Sequence, residues 1–276
     1  MNKLDQLIKM AIEEDVGSGD ITAQATVPLS LQAVGRFRAK QELTLAGIDT
    51  AHRVFQAIDP NVKWQAMADD GNLCKEGCVL AVVEGRARSL LAAERIALNF
   101  LMRLCGIATL ARRFAEAVKG TDAVILDTRK TAPGFRELEK HAARMGGCQN
   151  HRMGLFDCFL IKGNHIAAAG SICNALNLAI GARKPDQKVE VETRTQDDVR
   201  EALRCNADII MLDNMTVDQV REAVKLVDKK ARIEVSGNVT LANVRAYAET
   251  GVDFISVGAI THSAPAADIN MTIEIV

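Results

Sequence analysis

From residue 121 onward the chain alternates. Short apolar runs occur at 123–127, 158–162, 188–192, 208–213, 232–236 and 253–257, with helical segments signalled between them. Strand–helix alternation with short connections calls for a parallel sheet. Six repeats predict an incomplete, about six-stranded parallel α/β barrel. A doubly wound sheet is the alternative, but no Gly-x-Gly-x-x-Gly follows the first run. Thr195, Thr216 and Thr240, each with acidic or amide residues behind it, predict helix N-caps.

The ends of these runs carry the chemistry. Val124-Ile125-Leu126 stops in Asp127-Thr128-Arg129-Lys130, and Pro133-Gly134 turns the chain. Phe159-Leu160-Ile161 stops in Lys162, with Asn164 and His165 behind it. Later ends carry Glu190 and Glu192, Asp213-Asn214, Ser236-Gly237-Asn238 and Ser256-Val257-Gly258. In α/β barrels the active site lies at the C-terminal ends of the strands. One half of the expected pocket is therefore cationic, holding Arg129, Lys130, Arg152 and Lys162. Its middle is acidic, holding Glu192 and Asp213. Ser236-Gly237 and Gly258-Ala259 fit a phosphate, which such barrels commonly hold at their last strands.

The first hundred residues have a different rhythm. Leu4, Leu7, Ile8 and Ile12 share a helical face, and Glu14–Thr22 reads as a Gly-rich turn. Short strands near 34–39, 43–47, 62–64 and 78–84 and a helix near 48–58 make an α+β module, and 89–118 reads as long helices. The final segment, 269–276, alternates like a strand and is expected to return to the N-terminal sheet.

Composition narrows the partners. The net charge of −1 gives no global field for nucleic acid or membrane, so the cationic cluster suits a small anion. No apolar run approaches membrane-spanning length, and the first residues lack a signal peptide's apolar core. The seven cysteines are irregularly spaced, and Cys74 and Cys78 lack the partners of a zinc site. Reduced thiols in a cytoplasmic protein are expected.

Several cations, two carboxylates and a phosphate cradle suit a substrate with several anionic groups and sugar hydroxyls. The residues that say so resemble a known family. Glu14–Thr22, Ala93-Glu94-Arg95 with Asn99, Cys105–Thr109, Asp127–Gly134, Asn150-His151-Arg152, Leu160–His165, Val189–Glu192, Leu212–Asn214, Glu234–Asn238 and Ile255–Gly258 together resemble the quinolinate phosphoribosyltransferases. The resemblance runs over essentially the whole chain.

It implies an N-terminal α/β sandwich over 1–106, with 267–276 returning to it, and a barrel over 107–266. It implies a homodimer with shared active sites, and leaves a higher oligomer open. It implies transfer from phosphoribosyl pyrophosphate to quinolinate with Mg²⁺, giving nicotinate mononucleotide, pyrophosphate and CO₂ in NAD biosynthesis. Carried over, Arg129, Lys130, His151, Arg152 and Lys162 hold quinolinate's carboxylates and pyrophosphate, and Arg95 reaches across the dimer. Glu192 and Asp213 hold ribose hydroxyls and Mg²⁺, the metal mainly through substrate and water. Ser236, Gly237, Asn238 and Gly258 hold the 5′-phosphate. Lys162 or Lys130 assists decarboxylation, and Lys130, Lys162, Glu192 and Asp213 form the catalytic group.

The chain departs from the family pattern at Gly163, where an acidic residue is frequent, at Cys148, where a third Gly is common, and at Ala132, where Thr is common. Two rival readings are a molybdenum-transport-associated paralogue and an anion-binding protein without activity. Asn150 and Lys162 count against the first, and the retained charged set against the second. Glu190 reads equally as a site residue or a structural ion-pair partner. His141 and His165 read as packing or capping residues.

Overall fold

The computed structural model describes residues 2–276. The N-terminal elements are α1 (Lys3–Asp15), α2 (Ile21–Thr26), β1 (Gln32–Ala39), β2 (Leu43–Thr44), α3 (Ile48–Ile58), β3 (Lys63–Ala66), β4 (Leu73–Cys74), β5 (Val79–Arg86) and α4 (Ala87–Ala117). Next come β6 (Val124–Leu126), α5 (Arg136–Met145), β7 (Phe159–Ile161), α6 (Gly163–Ala169), α7 (Ile172–Ala182), β8 (Val189–Thr193) and α8 (Gln196–Arg204). The chain closes with β9 (Ile209–Asp213), α9 (Val217–Val227), β10 (Arg232–Ser236), α10 (Val244–Ala248), β11 (Phe254–Ser256), α11 (Ala259–His262) and β12 (Ile269–Ile275).

Contacts divide the chain into two compact units. One runs up to Arg112 and adds Pro133–Gly147 and Ala264–Val276; the other is Arg113–Ala132 with Cys148–Ser263. The first unit is built on an antiparallel sheet in the order β12-β1-β5-β3. Along β1 the even spacing puts Ala33, Gly35, Phe37 and Ala39 inward. Phe37, Phe55 and Trp64 cluster there, with Leu80, Val83, Leu90 and Leu101 buried around them. The expected turn over Glu14–Thr22 is only partly a turn: Asp20 accepts from the Ala23 N–H and caps α2. The expected long helices of 89–118 are one helix. Gly106 sits within it because a Cβ there would collide with the Pro265 carbonyl; close approach outweighs the roughly 1 kcal/mol that glycine costs a helix.

The second unit is the barrel: six parallel strands in the order β6-β11-β10-β9-β8-β7, open at β6 and β7. Thr195 and Thr216 cap α8 and α9 with reciprocal capping boxes, as their spacing predicts. Thr240 does not cap; α10 starts after Asn243, whose side chain takes the Thr240 N–H. Cys173 of α7 and Cys205 at the end of α8 form a disulfide with Cα atoms 5.4 Å apart. This corrects the expectation of reduced thiols throughout. A 32-residue separation carries no signal of proximity; adjacent packing of α7 and α8 creates it. Among the described residues, no single helix is long and apolar enough to cross a membrane.

Candidate functional site

Register explains why polar residues interrupt these buried strands. Side chains alternate between faces, and residues paired across strands share a face. Leu160 pairs with Glu190, Glu192 with Met211, Met211 with Glu234, Ser236 with Asp213, and Glu234 with Phe254. One face of the sheet therefore carries Leu160, Glu190, Glu192, Met211, Asp213, Glu234 and Ser236. The opposite face, with Val191, Ile210, Leu212 and Val235, is buried and apolar. A cavity of about 680 Å³ opens on the polar face and lies wholly within the barrel unit.

Of the residues singled out in the sequence, Arg129, Lys130, His151, Arg152, Lys162, Asp213, Ser236, Gly237, Asn238 and Gly258 line this cavity. Glu192 lines an adjoining cleft of about 320 Å³ and touches the cavity's Lys162. Arg95 belongs to the other unit, exposed on α4.

The cationic wall is held from behind. Asp127, fully buried, accepts the His151 N–H at 2.9 Å and the Asn150 side-chain amide. That places Arg152, whose Nη1 donates to the Cys158 carbonyl at 3.2 Å. Its Nε is buried and makes no hydrogen bond among the described residues. Burial, with the nearby Arg129 guanidinium, makes Arg152 less basic than usual. A buried Arg152 Nε without a hydrogen bond among the described residues, beside a second guanidinium, suits an anion.

Beneath that wall sits a buried cluster. His151 Nε2 lies 3.4 Å from both Glu190 Oε2 and Glu234 Oε2, and each glutamate is 1% exposed. Oε1 of each glutamate is buried without a partner among the described residues. The spacing would suit a metal ion. The ring's other nitrogen argues otherwise. The Arg152 N–H donates to Nδ1 at 2.7 Å, so Nδ1 offers its lone pair and Nε2 carries the hydrogen. Burial opposes charge on the ring and hydrogen bonds to the Glu190 and Glu234 carboxylates favour it, but with Nδ1 engaged as an acceptor the ring holds only its Nε2 hydrogen. Burial and the Glu234 charge raise Glu190 to about 7. The cluster thus retains an extra proton as a unit. Because Nδ1 is an acceptor and Nε2 already carries its hydrogen, that extra proton belongs to the Glu190–Glu234 pair.

At the acidic edge, Lys162 Nζ lies 3.2 Å from Glu192 Oε2. Glu192 Oε1 meets Arg194 Nη2 at 3.1 Å, and Arg194 Nε lies 3.6 Å from Asp213 Oδ2. Arg194 escaped the sequence reading because it resembles a surface charge beside an N-cap; nothing local marks it. Both Glu192 oxygens already face a cation, so Glu192 and Asp213 do not fit as direct ligands of a divalent metal.

The small-residue end is a tight loop. Gly237 has φ +93°, and a Cβ on it would collide with the Asn214 side chain. Asn238 Nδ2 donates to Asn214 Oδ1 at 3.0 Å. A Cβ on Gly258 would stand 3.1 Å from both Lys130 Cδ and His262 Nε2. Asn214 and His262 also line the cavity, and the sequence reading gave neither a role of its own. His165 Nδ1 accepts the Lys162 N–H at 3.0 Å, which is the capping alternative. His141 Nε2 lies 2.7 Å from Asp70 Oδ2 within the first unit.

The architecture defines a parallel α/β barrel protein whose cavity at the strand ends is lined by cations, carboxylates and small residues, as suits a small polyanion. Residues 107–272 match the C-terminal domain of quinolinate phosphoribosyl transferase, and residues 20–105 its N-terminal domain. A probable carboxylating nicotinate-nucleotide pyrophosphorylase of Synechocystis is 43% identical over 275 residues, covering 98% of this chain and 92% of that one. The chloroplastic carboxylating enzyme of Arabidopsis thaliana is 41% identical, covering 98% and 83%. The structure of NadC from Streptococcus pyogenes superposes with a TM-score of 0.95 at 37% identity, covering 99% and 97%. The chain belongs to the quinolinate phosphoribosyltransferase family.

Proposed function

We propose that the chain is the carboxylating phosphoribosyltransferase of NAD biosynthesis. It joins quinolinate to phosphoribosyl pyrophosphate and releases nicotinate mononucleotide, pyrophosphate and CO₂. Arg152, with its buried and unpartnered Nε beside Arg129, is the observation that carries this reading. Paired guanidiniums match a ring with adjacent carboxylates, each offering oxygens to a planar fork.

Each step asks something of this chain's residues. The ring nitrogen must meet the anomeric carbon in line with departing pyrophosphate, which is a positioning task. Arg129 and Arg152 orient the ring. Ser236, the Gly237 and Gly258 N–H groups and Asn238 hold the 5′-phosphate. Glu192 and Asp213 accept ribose hydroxyls. Lys130, let in by the missing Gly258 side chain, meets the leaving pyrophosphate. Ribosylation makes the ring a cation. Loss of the carboxylate next to nitrogen then leaves an electron pair on that carbon, which takes a proton. Lys162 at the cavity wall favours this step by its positive charge.

The family likeness also supports a homodimer in which a second copy supplies Arg95. Leu155, Phe156 and Leu178, each at least 70% exposed, form an apolar patch beside the open β7 edge that suits burial against another chain. Mg²⁺ belongs with phosphoribosyl pyrophosphate as part of the substrate complex, since Glu192 and Asp213 are already matched by cations.

The test is Arg152→Ala. Losing a charged hydrogen-bonding partner should lower kcat/KM for quinolinate roughly 10–100-fold, mostly through KM, with Arg152→Lys failing to restore it. Unchanged quinolinate kinetics in Arg152→Ala would overturn the assignment.

A further inference from the structure

Arg194 directly follows β8, and its backbone is pinned. Its N–H donates to Asp198 Oδ2 at 2.9 Å, and the Thr195 N–H donates to the same oxygen at 3.0 Å. With the main chain fixed by the α8 cap, the side chain reaches back across the ends of two strands. It meets Glu192 Oε1 at 3.1 Å and Asp213 Oδ2 at 3.6 Å. Lys162 takes the other Glu192 oxygen.

The local charge therefore closes without a metal. Two carboxylates face one guanidinium and one ammonium. Glu192 is 8% exposed, so its charge is poorly served by water and depends on those partners. A divalent ion entering between Glu192 and Asp213 would meet the Lys162 ammonium and the Arg194 guanidinium within contact range of those carboxylates, and like charges that close repel.

Gly163 belongs to the same arrangement. A Cβ there would find Arg194 Nη2 at 3.8 Å and Glu192 Oε1 at 3.9 Å, and nothing nearer. An acidic side chain at this position would add a third carboxylate to the pair. Glycine leaves the count at two, which one guanidinium and one ammonium satisfy.

We propose that Arg194 takes the place of a protein-bound divalent cation between Glu192 and Asp213, so that the free protein has no Mg²⁺ site there. The metal then enters only with the phosphorylated substrate. This last step rests on the phosphoribosyl-transfer reading; the first does not. Arg194 is in these terms a positioning residue. Its guanidinium stands between the two carboxylates and keeps them from closing on a metal.

Mn²⁺ alone tests this on the substrate-free protein, because the electron paramagnetic resonance signal of hydrated Mn²⁺ falls as the ion binds. The wild type should leave the signal near that of buffer. Arg194→Met should gain one Mn²⁺ per chain, at least tenfold tighter than wild type. Arg194→Lys, which keeps a cation, should behave as wild type. Adding Glu192→Gln to Arg194→Met should abolish the gain, which locates the ion and separates it from the His151 cluster. Stoichiometric binding by the wild type that Glu192→Gln removes would overturn the proposal. So would equal affinities in wild type and Arg194→Met. Neither readout uses quinolinate: if Mn²⁺ binding behaves as described and quinolinate is not turned over, only the functional reading falls.

Discussion

The backbone N–H of Arg152 donates to Nδ1 of His151 at 2.7 Å, and this contact decides where the histidine carries its hydrogen. With Nδ1 an acceptor, Nε2–H points at Glu190 and Glu234. Both ring nitrogens are then engaged inside the protein, and the ring steers Arg152. Nitrogen-15 spectra of the histidines should show His151 at pH 7 with a pyridine-type Nδ1 and a pyrrole-type Nε2. Two pyrrole-type nitrogens would contradict this assignment.

Gly237 should tolerate no side chain. Its φ of +93° and the Asn214 side chain in the path of a Cβ make Gly237→Ala costly, by roughly 1–3 kcal/mol of local strain. The strain falls on the loop assigned to the 5′-phosphate. Calorimetric titration should show weaker binding of phosphoribosyl pyrophosphate and little change for quinolinate. Equal weakening of both would point to general unfolding of the site.

The Cys173–Cys205 bridge spans 32 residues of sequence. Closing a loop of that length restricts the unfolded chain by about 3–4 kcal/mol. Cys173→Ser should lower the denaturation midpoint in oxidising buffer, and reductant should lower the wild type to the same value. A midpoint indifferent to reductant would contradict a closed bridge.

Asp59 sets an acid limit on the first unit. Burial alone would raise its carboxyl, but hydrogen bonds from Arg86, Ser89 and Asn61 outweigh that and lower it to about 2. A depressed carboxyl stabilises the fold above its unfolded value near 3.8, and the stabilisation is lost as pH falls toward 2. Arg86 is half exposed, so we expect about 1–2 kcal/mol. Asp59→Asn should flatten the stability curve between pH 4 and pH 2 in urea titrations, and an unchanged slope would refute this.

The barrel was legible because period and punctuation agree: six apolar runs, each ending in polar or small residues, with Thr195 and Thr216 capping as written. Most of the cavity was legible for the same reason, since its residues sit where strands stop. What stayed hidden depends on contacts across strands. Glu190 and Glu192 share a face, yet one meets His151 and the other Lys162 and Arg194. Only pairing register separates them. Arg194 is a helix-flanking charge in the sequence and becomes part of the site through the reach of its side chain. The disulfide depends on how α7 and α8 pack. The α2 helix was missed because Gly17 and Gly19 precede it closely, and the cap at Asp20 read as part of the turn.

The paired Arg129 and Arg152 beside a phosphate cradle suit dicarboxylate chemistry at a phosphoribosyl-transfer site. The most direct measurement mixes the protein with phosphoribosyl pyrophosphate, Mg²⁺ and either quinolinate or nicotinate, following nicotinate mononucleotide and CO₂ together. Equal amounts of both products from quinolinate, and none from nicotinate, is the expected result. Product from nicotinate alone, or from neither by a folded protein, would contradict it.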